Sequence, residues 1–103
     1  MVKQKLKLWV DDADLAALCH EWKVTELAVF GSAARGEMTP ESDVDLLVTF
    51  SKDARWSLWD LVAIQDDFAR LFQRKVDLVE SGTVRNPYRR ASIERDARVV
   101  YAA

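Results

Sequence analysis

Residues 43–50 read DVDLLVTF, and no other stretch constrains the fold of this chain as tightly. In an extended strand alternate side chains share a face, so Val44, Leu46, Val48 and Phe50 make one unbroken apolar row. The opposite row carries Asp43, Asp45, Leu47 and Thr49. Aspartate is depleted in strands, and a buried carboxylate without a partner costs several kcal/mol. Such a strand must lie with one face on a core. Its carboxylates must then face either water or a cation.

The rest of the chain supplies that core. Asp11 or Asp12 can cap a first helix in which Leu15, Leu18, Cys19 and Trp22 recur at helical spacing. LAVF (27–30) reads as a short buried strand ending at Gly31, and a polar turn with a short helix follows, from Gly31 to Ser42. Residues 57–74 keep helical spacing at Leu58, Leu61, Ile64, Phe68, Leu71 and Phe72, with Ser57 and Asp60 placed as a capping box. KVDLVE (75–80) is a third strand. Asn86 and Pro87 start a helix that runs to about Asp96, and RVVY (98–101) forms a closing strand. Strands alternating with helices predict an α/β domain built on one mixed sheet flanked by helices, a single unit over residues 1–103.

Composition excludes several classes. A net charge of −2 argues against a general nucleic-acid coat. Charge is unevenly placed, however. Between residues 85 and 98 five arginines (Arg85, Arg89, Arg90, Arg95, Arg98) meet only Glu94 and Asp96. That stretch is either a patch for phosphates or an acidic partner, or a solvated helix face. Cys19 is the only cysteine, so no internal disulfide forms. His20 directly follows it, and adjacent helical residues do not share a face, which argues against a zinc site or a histidine-based triad. No apolar run approaches the ~18 residues of a membrane span. The start, MVKQKLKLWVDD, alternates lysine with apolar residues rather than forming a leader, so the expected location is cytoplasmic.

Three features carry chemistry. Asp43 and Asp45 project side by side, and two neighbouring carboxylates repel unless a proton or cation lies between them. Hard oxygen ligands suit Mg²⁺, and two such ions about 3.5–4 Å apart can clamp the attacking and leaving oxygens of a nucleotidyl displacement. Gly31-Ser32 lies where a strand meets a helix start, a place at which backbone N–H groups and a hydroxyl can hold phosphate. KVDLV (75–79) echoes DVDLLV, so Asp77 joins the first two aspartates if the strands pair. Each feature has an ordinary alternative: a wet strand face, or a common turn. Arg35 is placed either to neutralise phosphate charge or to serve as a helix-and-turn device, with Glu37 able to pair with it. Ser42 reads as a shaper of the turn before the strand.

Taken together, Gly31-Ser32, ten residues, then Asp43-x-Asp45 resembles the G-S-x10-D-x-D signature of the DNA polymerase β-type nucleotidyltransferase superfamily. FGSAARGE with SDVDLLV, and the closing NPYRRASIERDARVVYAA, are similar to its minimal branch, the MNT proteins. The resemblance implies that Asp43 and Asp45 hold two Mg²⁺ ions with a nucleoside triphosphate. It makes Asp77 the third carboxylate, a ligand of the metal that activates the attacking hydroxyl and the acceptor of its proton, and Gly31 and Ser32 the holders of the β- and γ-phosphates. The shortness of the chain leads to the expectation that a partner, or a homo- or hetero-oligomer, supplies the acceptor.

MNT proteins pair with HEPN ribonuclease toxins, so the resemblance implies an antitoxin that moves AMP from ATP to a toxin hydroxyl. Two rivals stand beside it: a small-molecule (antibiotic-type) nucleotidyltransferase subunit, and a non-catalytic module that blocks its partner by contact.

Overall fold

The computed structural model describes residues 8–103; the lysine-rich start read above against a leader falls largely in residues 1–7, outside the described residues. The chain order is α1 (Asp12–Glu21), β1 (Val24–Phe30), α2 (Ser32–Arg35), β2 (Val44–Phe50), α3 (Leu58–Phe72), β3 (Val76–Glu80), α4 (Pro87–Asp96) and β4 (Arg98–Ala102). The strands form one sheet in the order β3-β2-β1-β4. β1 runs antiparallel to both β2 and β4, while β2 and β3 are parallel across α3, so the sheet is mixed. Among the described residues no helix is long and apolar enough to cross a membrane.

Local chemistry sets the element ends. The Asp11 carboxylate accepts from the amides of Ala13 and Asp14 and caps α1. Ser57 and Asp60 form the expected capping box at the start of α3. Asn86 caps α4 with Pro87 in its first turn. β1 begins three residues earlier than the sequence pattern suggested, because Val24 faces the core while Thr25 is exposed at the sheet's rim.

One face of the sheet buries the core. Leu27 and Val29 of β1, the apolar row Val44, Leu46 and Val48 of β2, and Val76 of β3 pack with Leu15 and Cys19 of α1 and with Ile64, Phe68 and Phe72 of α3. Burial pushes the Cys19 thiol up to about 12, so it stays a neutral packing group. On the other face Ala28 and Phe30 are buried near Ile93 of α4, which packs on β1. That second cover leaves the polar row of β2 partly open.

Phe68 is fully buried. Phe68→Ala is expected to lower unfolding free energy by about 3–5 kcal/mol, read as a shifted urea midpoint. Ser57→Ala, which removes only the cap, is expected to cost about 1 kcal/mol in the same assay.

Candidate active site

Strand register brings together two of the three aspartates predicted from sequence, Asp45 and Asp77. Asp45 pairs with Phe30 across the antiparallel β1–β2 ladder and with Asp77 across the parallel β2–β3 ladder. Register partners point to the same side of a sheet, so Asp45 and Asp77 share the face opposite the core. Asp43 lies two residues before Asp45, immediately ahead of β2. Asp43 and Asp77 are exposed, and Asp45 is half-buried.

Burial raises the Asp45 carboxyl above the ordinary carboxylate range, and the charges of Asp77 and then Asp43 raise it further. Arg89 and Arg35 oppose the shift without cancelling it. The face is therefore short of positive charge. Among the described residues, no group of three or more histidine, cysteine, aspartate or glutamate side chains is placed to hold a metal ion.

Gly31 ends β1 beside this cluster. It adopts φ 66° and ψ −145°, a region that side chains rarely enter. A Cβ placed there would lie 2.3 Å from Asp45 Oδ2. Glycine is thus required twice, by the turn and by the carboxylate. Ser32 opens α2 directly after it and is half-buried.

The loop between α2 and β2 is fixed from α3. Arg74 Nη1 donates to the carbonyls of Thr39 (2.8 Å) and Ser42 (3.0 Å). Within that loop the Thr39 amide donates to Ser42 Oγ at 2.8 Å, and the Ser42 amide donates to the Thr39 carbonyl at 3.0 Å. Ser42 shapes the approach to Asp43, as its position suggested. The Val44 amide then donates to the Lys75 carbonyl at 2.9 Å, which brings the starts of β2 and β3 together.

Arg35 is held by two carboxylates. Its Nε donates to Glu37 at 2.7 Å and its Nη1 to Asp96 at 2.9 Å, and these two bonds raise its pKa further. It ties α2 to the end of α4. Arg89, which the sequence marked only as one of an arginine-rich stretch, acts on Asp45 and lines a cleft together with Asp77. Among the described residues it makes no ion pair. Nothing local identifies it, because its place depends on how α4 lies across the sheet.

The nucleotidyltransferase domain family matches residues 15–100. The chain belongs to that family. A relative from Methanocaldococcus jannaschii, described as a protein adenylyltransferase, is 38% identical over 79 residues, 77% of this chain and 79% of the relative. A solved minimal nucleotidyltransferase is 31% identical with a TM-score of 0.67, over 84% of this chain and 85% of that one. Two toxin–antitoxin complexes share the fold at lower identity. One, with AMP-PNP, has a TM-score of 0.73 at 16% identity and covers 91% of this chain and 75% of that chain. The other holds an AMPylated Shewanella oneidensis HEPN toxin with its MNT antitoxin, with a TM-score of 0.63 at 14% identity over 89% of this chain and 70% of that chain. The family is one of enzymes, and the nucleotidyltransferase reading of the sequence stands.

Two consequences are measurable. Gly31→Ala is expected to cost about 1–3 kcal/mol of stability from backbone strain, with the carboxylate forced to move as well. Because the Asp45 pKa is raised by folding, the native state binds its proton more tightly than the unfolded state does. Its charge therefore costs stability as pH rises through the ordinary carboxylate range and above. Asp45→Asn is expected to raise the melting temperature at pH 7 and to give no gain at pH 3, as read by thermal melts across pH.

Proposed function

We propose that this nucleotidyltransferase moves AMP from ATP, with Mg²⁺, to a hydroxyl of a partner protein, a HEPN-type ribonuclease toxin that it thereby neutralises. One observation carries the catalytic part: the register that sets Asp45 against Asp77 directly beside Gly31. A pure contact module has no need to hold like charges together on a half-buried face. The adenylyltransferase relative and the toxin–antitoxin complexes support the nucleotide and the class of partner.

The donor set fits Mg²⁺. It consists of carboxylate oxygens on a face short of positive charge, and Mg²⁺ typically takes one or two carboxylates together with substrate phosphates. In this reading Asp43, Asp45 and Asp77 hold the metal, which when bound neutralises phosphate charge and polarises the reacting oxygens. Gly31 lets the triphosphate approach the backbone, and the Ser32 hydroxyl donates to it. The acceptor oxygen attacks the α-phosphorus while the bond from that phosphorus to the β-phosphate oxygen breaks. Pyrophosphate departs with the bonding pair. The hydroxyl proton passes to the Asp77 carboxylate, whose exposed position leaves it open to an incoming group.

The test incubates the purified protein with Mg²⁺, each α-labelled nucleoside triphosphate and lysate of its own host. Label is expected from ATP onto a protein band. Asp43→Ala and Asp45→Asn are each expected to reduce that label about 10²–10³-fold. Label on a small molecule would replace the protein acceptor with an antibiotic-type one. Toxin neutralisation that survives Asp43→Ala would reduce the protein to a contact inhibitor.

A further inference from the structure

We infer that Arg74 is a positioning residue for Asp43: from just past the end of α3 it holds the turn that sets this carboxylate beside the pair on β2 and β3. This rests on the transfer reading given above, in which Asp43 is a metal ligand.

The need for such a residue follows from the ladders. The parallel register of β2 with β3 begins at Val44 and Val76, so it fixes Asp45 against Asp77 and leaves Asp43 just outside. The Asp43 side chain is exposed, so packing does not place it either. Its place is set by the peptide groups on its two sides. Ahead of it, the Ser42 carbonyl accepts from Arg74 Nη1 at 3.0 Å. After it, the Val44 amide donates to the Lys75 carbonyl at 2.9 Å. Consecutive residues beyond α3 thus hold both flanks of Asp43, Arg74 by its side chain and Lys75 by its backbone.

Arg74 contributes what the turn lacks. Thr39–Ser42 is a β-turn with Pro40 in second place, closed by the Ser42 amide on the Thr39 carbonyl at 3.0 Å and by the Thr39 amide on Ser42 Oγ at 2.8 Å. Those bonds stiffen the turn without fixing where it lies. Arg74 Nη1 also donates to the Thr39 carbonyl, at 2.8 Å, so a single nitrogen grips both ends. The guanidinium is itself held, 5.6 Å from the centre of the Trp9 ring. Trp9 in turn donates its indole N–H to the Phe72 carbonyl at 3.0 Å and meets the Phe72 ring edge-to-face. Both acceptors of Arg74 are neutral carbonyls, and among the described residues it makes no ion pair. Its contribution at this turn is directional bonding. Met38, just ahead of the turn, packs on the core and keeps the loop anchored when Arg74 is changed.

Loss of charge and loss of position act on a bound cation with opposite signs. Removing a positive group near carboxylates strengthens cation binding, whereas displacing a ligand weakens it. The test uses the full chain with α,β-methylene ATP and reads Mn²⁺, a spectroscopic stand-in for Mg²⁺, by loss of its free-ion electron paramagnetic resonance signal. Arg74→Met keeps the stem, removes the donors, and is expected to weaken Mn²⁺ binding about tenfold. Arg74→Lys, whose single nitrogen carries protons enough for both carbonyls, is expected to recover most of that loss. Ser57→Ala, which removes the cap at the far end of α3, is expected to leave Mn²⁺ affinity unchanged and controls for lost stability. The Ser42 and Val44 amides, both bonded in the native chain, are expected to exchange hydrogen about tenfold faster in Arg74→Met.

Unchanged or tighter Mn²⁺ binding by Arg74→Met overturns the assignment when Asp43→Ala weakens it, and the metal reading then stands alone. Failure of Arg74→Lys to recover binding, or an equal loss in Ser57→Ala, also overturns it. If Asp43→Ala binds Mn²⁺ as well as the unmodified chain, Asp43 is no metal ligand and that part of the transfer reading falls. Amide exchange then decides the positioning role by itself: faster exchange at Ser42 and Val44 in Arg74→Met upholds it, and unchanged exchange overturns it.

Discussion

The structure depends on a repulsion that the fold holds in place. Parallel pairing of β2 with β3 sets Asp45 opposite Asp77, and antiparallel pairing of β2 with β1 brings Gly31 against the same carboxylate. Neither contact stabilises the protein by itself. The Asp45 carboxyl is pushed toward its protonated form, first by burial and then by its neighbours. The face is thereby short of positive charge. Stability spent locally in this way is common at functional sites.

The opposite face of the same strands supplies the compensation. Val44, Leu46 and Val48 are completely buried, and α1 and α3 cover them with Leu15, Cys19, Ile64, Phe68 and Phe72. The side-chain period of two means that a slip of one residue in β2 would bury the aspartates and expose the valines. The apolar row therefore fixes the register that the polar row needs. Arg74, just past the end of α3, holds the Thr39–Ser42 loop that delivers the chain into β2.

Arg35 and Arg89 show why residue type is a weak guide to role. Both are arginines within electrostatic reach of Asp45. Arg35, close in sequence to Gly31 and Ser32, has its guanidinium occupied by Glu37 and Asp96 and works as a tie between α2 and α4. Arg89, far away in sequence, lines the cleft at Asp77. Proximity along the chain points to the first, while packing of α4 against the sheet brings the second to the same face.

What the sequence determined by itself was whatever short-range spacing encodes. Alternation in DVDLLVTF gave the faces of β2, the capping residues Asp11, Ser57 and Asn86 gave the helix starts, and Gly31-Ser32 with Asp43-x-Asp45 gave the family. The echo at Asp77 indicated a third carboxylate, but only as a condition on strand pairing. Tertiary structure alone decided that β2 and β3 are neighbours in register, that burial raises the Asp45 carboxyl, and that a Cβ at Gly31 would strike it. It also decided that a cleft lined by Leu58, Leu61 and Val62 of α3 lies beside Asp77. These are contacts between segments tens of residues apart. Their geometry is set by how helices cover a sheet, and no local pattern of residues records it.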